Sequence, residues 1–202
     1  ISYNIDDGII MTVGNTKIIK DDAYFLDTSD VLYNLKDKNI YSKKKTLIED
    51  LESNKIEVKN FNISLIENLL KANNAFITDK NLNQYELEKL FYDFKQNRIL
   101  GKDVILNQNN KLSNESYLPR AKGRSLLIEN NNMILKKSIY TNCKKSDGCP
   151  PWSIKAEEVK HDKQNQIIKY KNASFRFYDI PVLYFPKFFH PDPTVKRQSG
   201  FL

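Results

Sequence analysis

One short polar turn recurs along these 202 residues and limits what the chain can fold into. At residues 35–40, 51–56, 94–99, 128–133 and 161–167, a hydrophobic residue is followed by a few Asp, Asn, Lys or Gln residues and then by another hydrophobic residue. Asn and Asp tolerate left-handed backbone and bond their own main chain, so each site reads as a hairpin turn. With only 6 Gly in the chain, tight turns must rely on Asn and Asp. The flanks alternate as strands do: Val31, Tyr33 and Leu35 before the first turn, Ile56 and Val58 after the second, Phe175 and Phe177 late in the chain. The expectation is an all-β fold of short antiparallel strands.

Two stretches carry helical spacing as well. Leu65, Ile66, Leu69 and Leu70 fall on one helical face, and so do Leu87, Leu90, Phe91 and Phe94. Strands remain the better reading for the second, because Leu90, Tyr92 and Phe94 also alternate and run straight into a polar turn. Near the C-terminus, Pro150 and Pro151 force an extended entry, after which Trp152, Ile154 and Ala156 alternate with Ser153 and Lys155. Pro181, Pro186, Pro191 and Pro193 cannot donate to a ladder, which places residues 180–193 at a sheet edge or in a crossing segment.

The net charge of +7 invites a nucleic-acid reading. Against it, 27 of the 32 basic residues are Lys, whereas fork-like recognition of phosphate favours Arg. The 23 Asn point instead to a compositional bias of the coding genome, and the expectation is no nucleic acid. No apolar run approaches the ~20 residues of a membrane-spanning helix. Ile1, Ser2 and Tyr3 read as the inside of a strand, so the chain is expected to be a piece of something longer. His161 beside Asp162 and His190 near Asp192 adjoin no nucleophile motif. Cys143, Cys149, His161 and His190 match none of the usual zinc spacings. Glycine-rich phosphate loops are missing too, and neither an enzyme nor a cofactor is expected.

One C-terminal run is long and chemically odd: His190-Pro191-Asp192-Pro193-Thr194-Val195-Lys196-Arg197, then Ser199-Gly200-Phe201-Leu202. Together with Tyr140-Thr141-Asn142-Cys143, Pro151-Trp152-Ser153-Ile154 and the segment from Pro181-Val182 to Phe185-Pro186, it resembles the end of the periplasmic N-terminal domain of the LPS-assembly (LptD, organic solvent tolerance protein) family, in its alphaproteobacterial form. Upstream of Tyr140 the match is one of pattern, and it departs from the family's shorter, more alanine-rich repeats.

The resemblance implies an open β-jellyroll (a β-taco, OstA-like) over residues 1–202, with the family's outer-membrane barrel beginning after residue 202. It implies non-enzymatic lipopolysaccharide transport at the periplasmic face of the cell outer membrane. LPS would come from an LptA-like bridge protein by edge-strand pairing and pass to the barrel, with an LptE-like lipoprotein acting through that barrel. Sheets that part along one edge open a groove suited to acyl chains. Its expected lining is Tyr33, Leu35, Ile56, Val58, Phe94, Ile154, Ala156, Tyr170, Phe175 and Phe177. The alternative is a structural β-repeat scaffold or interaction domain with a closed apolar core and no lipid. Five residues separate Cys143 from Cys149, few enough to close on each other in an oxidising compartment, where Lys144 and Lys145 favour exchange chemistry. Unpaired thiols, or the family's bonds to cysteines beyond residue 202, are the other readings.

Overall fold

A computed structural model describes residues 1–4, 8–109, 119–130, 132–143, 150–192 and 195. Seventeen strands account for most of them: β1 (Ser2–Asn4), β2 (Ile9–Met11), β3 (Asn15–Lys20), β4 (Tyr24–Ser29), β5 (Leu32–Asn34), β6 (Asn39–Ser42), β7 (Thr46–Asp50), β8 (Lys55–Val58), β9 (Asn60–Ser64), β10 (Leu69–Thr78), β11 (Gln84–Asp93), β12 (Arg98–Asn107), β13 (Arg120–Glu129), β14 (Asn132–Thr141), β15 (Trp152–Asp162), β16 (Ile167–Phe177) and β17 (Ile180–Pro191). No helix occurs among the described residues. The strands pair antiparallel throughout, and the fold is all-β, of the open β-jellyroll kind. The chain divides into two compact units, Ile1–Gly101 and Lys102–Leu202.

The five turns read from the polar repeats all join paired strands. That at 35–38 links β5 to β6, and those at 51–54, 94–97, 130 and 163–166 follow β7, β11, β13 and β15. Left-handed residues carry them: Lys38, Ser53, Asn97, Asn130 and Gln166 all have positive φ, so Asn shares the task with residues less suited to it. Both stretches of helical spacing are strand and turn. Leu87, Leu90 and Phe94 are buried in or just after β11, and Leu65 and Ile66 sit in the β9–β10 turn.

In unit 1, two half-sheets form from strands that bend once along their length. The first half of β10 pairs with β9 at Leu70↔Ile63, and its second half pairs with β8 at Ile77↔Ile56. Between them Asn74 takes φ 50° and drops out of the β11 register. The left-handed residue turns the strand through a corner and inverts which side faces inward. Burial therefore runs Leu70, Ala72, then Ala75, Ile77 in β10, and Tyr85, Leu87, then Leu90, Tyr92 in β11. The break in alternation gives a spacing of three where a flat strand gives two.

Earlier in the unit the corner falls between separate strands, at Gly14 (φ 81°) between β2 and β3 and at Asp30 (φ 50°) between β4 and β5. These two corners are stitched together: Gly14 N donates to Asp30 Oδ1 at 2.9 Å, and Asp30 N donates to Gly14 O at 3.2 Å.

Unit 2 repeats the device. Asp103, Lys137 and Asn172 have positive φ in mid-strand, and inward burial skips from Leu135 to Ser138 in β14 and from Tyr170 to Ala173 in β16. The residues nearest the corner are small: Ser138, Ala156 and Ala173 pair in one row across β14, β15 and β16. Inward side chains have the least room where two half-sheets converge, so only small ones pack there.

Strand β17 pairs with β16 from Ile167↔Pro191 to Phe177↔Ile180, with a bulge at Phe175/Arg176. It is exposed from Ile180 to Phe189, as a proline-bearing strand at a sheet edge is.

Candidate functional site: the inward apolar faces

Corner inversion decides which side chains point inward, and the ten groove candidates fall into three groups. Ile56, Val58 and Phe94 in unit 1, and Ala156 and Tyr170 in unit 2, are buried. Tyr33, Ile154 and Phe175 are half-buried. Leu35, at the edge of the β5–β6 turn, and Phe177, at the end of β16, are exposed. The structure thus places all ten, five of them in each unit. One feature departs from simple alternation: Ser153, expected to face away from the apolar residues of β15, is buried.

In unit 1 the inward face is shut. Leu26 and Ile48 on one half-sheet and Ile63, Leu70 and Leu90 on the other are all at most 2% exposed. The β3–β4 hairpin then reaches across to the other half-sheet. The Tyr24 ring meets Phe94 edge-on at 4.7 Å and Tyr92 at 5.7 Å. The Tyr92 hydroxyl donates to Asn97 Oδ1 at 2.7 Å and lies 3.1 Å from the Tyr24 hydroxyl. Lys20, itself buried, pairs with Asp21, donates to Asn68 Oδ1 at 3.0 Å and sits over the Phe94 ring. Burial, then the neighbouring Tyr24 hydroxyl, pushes the Tyr92 phenol well above its ordinary range, and it stays neutral.

In unit 2 the corresponding face is built on β15, β16 and β17. Ala156, Tyr170 and Ala173 are its buried centre, with Ile154, Val159 and Ile168 packed against them. Trp152 stacks on Phe175 at 6.1 Å with the planes 16° apart. Cross-strand partners share a face, so Phe185, Phe188 and His190 of β17 stand on the same side as their partners Ala173, Tyr170 and Ile168. Tyr170 lies 5.6 Å from the Phe188 ring and bonds His190 Nε2 through its hydroxyl at 3.0 Å. Phe185 lies 5.6 Å from Phe188. Burial raises the Tyr170 phenol, so this surface carries no tyrosinate near neutral pH.

Phe185 and Phe188 were not among the candidates. Their signal was the proline-crossed aromatic run, and assigning their face required the β16–β17 register together with the corner inversion.

Such a face can hold an apolar molecule and does little else chemically. Among the described residues no cluster of three His, Cys, Asp or Glu could hold a metal. His161 pairs with Asp192, and Cys143 is buried with its Sγ 3.6 Å from the Trp152 carbonyl. Cys149 lies outside the described residues, as do Pro193, Thr194 and residues 196–202 of the C-terminal motif.

No family model matches the chain. Individual proteins do. It is 36% identical over 104 residues to "LPS-assembly protein LptD" of Nitrosomonas europaea, covering 48% of this chain and 14% of the relative. It is 37% identical over 103 residues to the LptD of Legionella pneumophila strain Paris, covering 50% and 12%. A third match, to LptD of Salmonella paratyphi A, is 30% identical over 126 residues and covers 57% and 16%. The matched stretch is therefore under a fifth of the length of these relatives. Matches of this identity in three bacteria bear out the resemblance: over about half of its length the chain is similar to the LPS-assembly protein LptD, and it resembles that protein's N-terminal domain.

Proposed function

We propose that this chain is a non-enzymatic carrier segment that handles the acyl chains of lipopolysaccharide on the inward apolar face of its second unit, at the periplasmic side of the outer membrane. In this reading it takes LPS from an LptA-like bridge protein by edge-strand pairing and passes it to a barrel that an LptE-like lipoprotein accompanies. The observation that carries the reading is the aromatic surface of β16 and β17: Phe175, Tyr170, Phe185 and Phe188 share one face, and Phe185 and Phe188 are each still 36% exposed. A closed scaffold would bury these rings, because large apolar side chains left in water forgo roughly 1.5–3 kcal/mol each. The relatives' name supports the substrate. The Cys143 to Cys149 disulfide belongs to the same proposal, with non-reducing peptide mapping as its check.

Phe175 and Arg176 are adjacent and point to opposite faces, so they form an internal control. Phe175 stacks on Trp152, whereas Arg176 bonds Asp179. We expect Phe175→Asp to lower LPS photocrosslinking from a neighbouring inward position by about tenfold or more, since a carboxylate set against acyl chains costs at least ~1.4 kcal/mol. Arg176→Asp should leave crosslinking close to wild type. Equal transfer by two folded variants rejects the groove, and loss of folding in Phe175→Asp alone favours the closed core.

A further inference from the structure

The outward face of unit 1 holds a depression of about 710 Å³. Two parallel rows of paired side chains build it. In the first, Tyr41 of β6 pairs with Asn62 of β9, Asn62 with Lys71 of β10, and Lys71 with Phe91 of β11. In the second, two residues nearer the corner, Asn60 pairs with Asn73 and Asn73 with Lys89. Lys43, just past the end of β6, also lines it, and Ser42, Phe61, Ala72 and Leu90 lie between the rows. Three strand spacings make the first row about 14 Å long, and a two-residue step sets the second roughly 7 Å from it, room for one or two hexose rings.

The charge is one-sided. Three lysines line the depression and no carboxylate does. Lys71 has Glu67 at 3.5 Å, outside the lining. Lys43 and Lys89 have no ion pair among the described residues, although the next two lysines along, Lys44 and Lys45, are paired to Asp30 and Glu57. Mutual repulsion of ammonium groups around one cleft is relieved by a bound anion. Three Asn stand on the neighbouring strands β9 and β10, with Asn73 Nδ2 donating to Asn60 Oδ1 at 3.2 Å. Carboxamides both donate and accept, as sugar hydroxyls do. Tyr41 and Phe91 close the two ends of the first row, where an aromatic ring can pack on the apolar face of a sugar.

We propose that this depression is a binding site for a phosphorylated saccharide, with Lys43, Lys71 and Lys89 taking the phosphate, Asn60, Asn62 and Asn73 the hydroxyls, and Tyr41 and Phe91 the ring. It lies on the side chains that alternate with the buried Leu70, Ala72 and Leu90, so it stands or falls independently of acyl-chain binding on the inward face.

The test is an NMR titration of the 202-residue chain with glucosamine 1-phosphate, with unphosphorylated glucosamine and with inorganic phosphate. The expected result is saturable shifts centred on the side-chain amides of Asn60, Asn62 and Asn73. Glucosamine and inorganic phosphate should each bind at least tenfold more weakly, and so should glucosamine 1-phosphate to the exposed double variant Lys43→Gln/Lys89→Gln. Repeating the titration with an acylated, phosphorylated glucosamine disaccharide in detergent micelles, against empty micelles, separates the sources. Shifts at the same amides assign the ligand to a lipid headgroup, and shifts with the free sugar phosphate alone assign it to a soluble one. Shifts spread over all surface lysines, equal binding of glucosamine, or undiminished binding by the double variant overturns the site.

Discussion

Gly123 shows how tightly one residue can be specified. A Cβ added there would lie 2.5 Å from both Cγ and Cδ1 of Leu135 on β14, and Leu135 is itself 2% exposed with nowhere to retreat. Overpacking of this kind costs about 1–3 kcal/mol. Gly123→Ala is therefore expected to lower the unfolding free energy measured in urea by that amount, while Leu135→Ala alone costs about 2–5 kcal/mol for the cavity it leaves. In the double variant the new methyl occupies part of that cavity. The two losses should then sum to less than their separate values, and additive losses would mean that the contact is not what excludes a side chain at 123.

At the scale of the strand, the left-handed corner residue is the part that needs explaining, since Lys137 at φ 48° has neither the freedom of Gly nor the local hydrogen bonding of Asn. Lys137→Gly is expected to stabilise the chain by about 1 kcal/mol by removing that strain, and Lys137→Val to destabilise it by at least as much. Thermal unfolding of the two variants checks the order. The corners also explain what could be read from the chain alone. Hairpin turns were readable because Asn and Asp announce left-handed backbone locally, as at Asn97 and Asn130. The long strands were harder: the skip from Leu87 to Leu90 is a strand turning a corner, yet it has the period of a helix. The candidates on β15 and β16 could be assigned a face by alternation within each half. Phe185 and Phe188 could not, because Pro186 and the corner separate them, and three residues apart on a flat strand they would stand on opposite faces.

For the whole molecule, the buried phenols set the alkaline limit. Burial, reinforced by Asp79, raises Tyr85, and burial leads likewise for Tyr92 and Tyr170. All three are neutral in the folded chain, whereas in the unfolded chain they ionise near pH 10. Their contribution is complete below about pH 10 and is lost as pH rises above it, by up to ~1.4 kcal/mol per pH unit for each phenol. Tyr85→Phe should flatten the decline by about one proton, and a slope unchanged in that variant would show that Tyr85 ionises freely in the fold. The exposed aromatic strand β17 has a consequence of a colloidal kind. Ile180, Val182, Leu183, Tyr184 and Phe189 are each more than half exposed, a sticky edge on a molecule carrying a net charge of +7. Like-charge repulsion holds two such edges apart when the ionic atmosphere is thick, and near 0.15 M salt that atmosphere has thinned to about 8 Å. What keeps separate copies dispersed is thus a long-range force that added electrolyte erases, leaving short-range adhesion in charge.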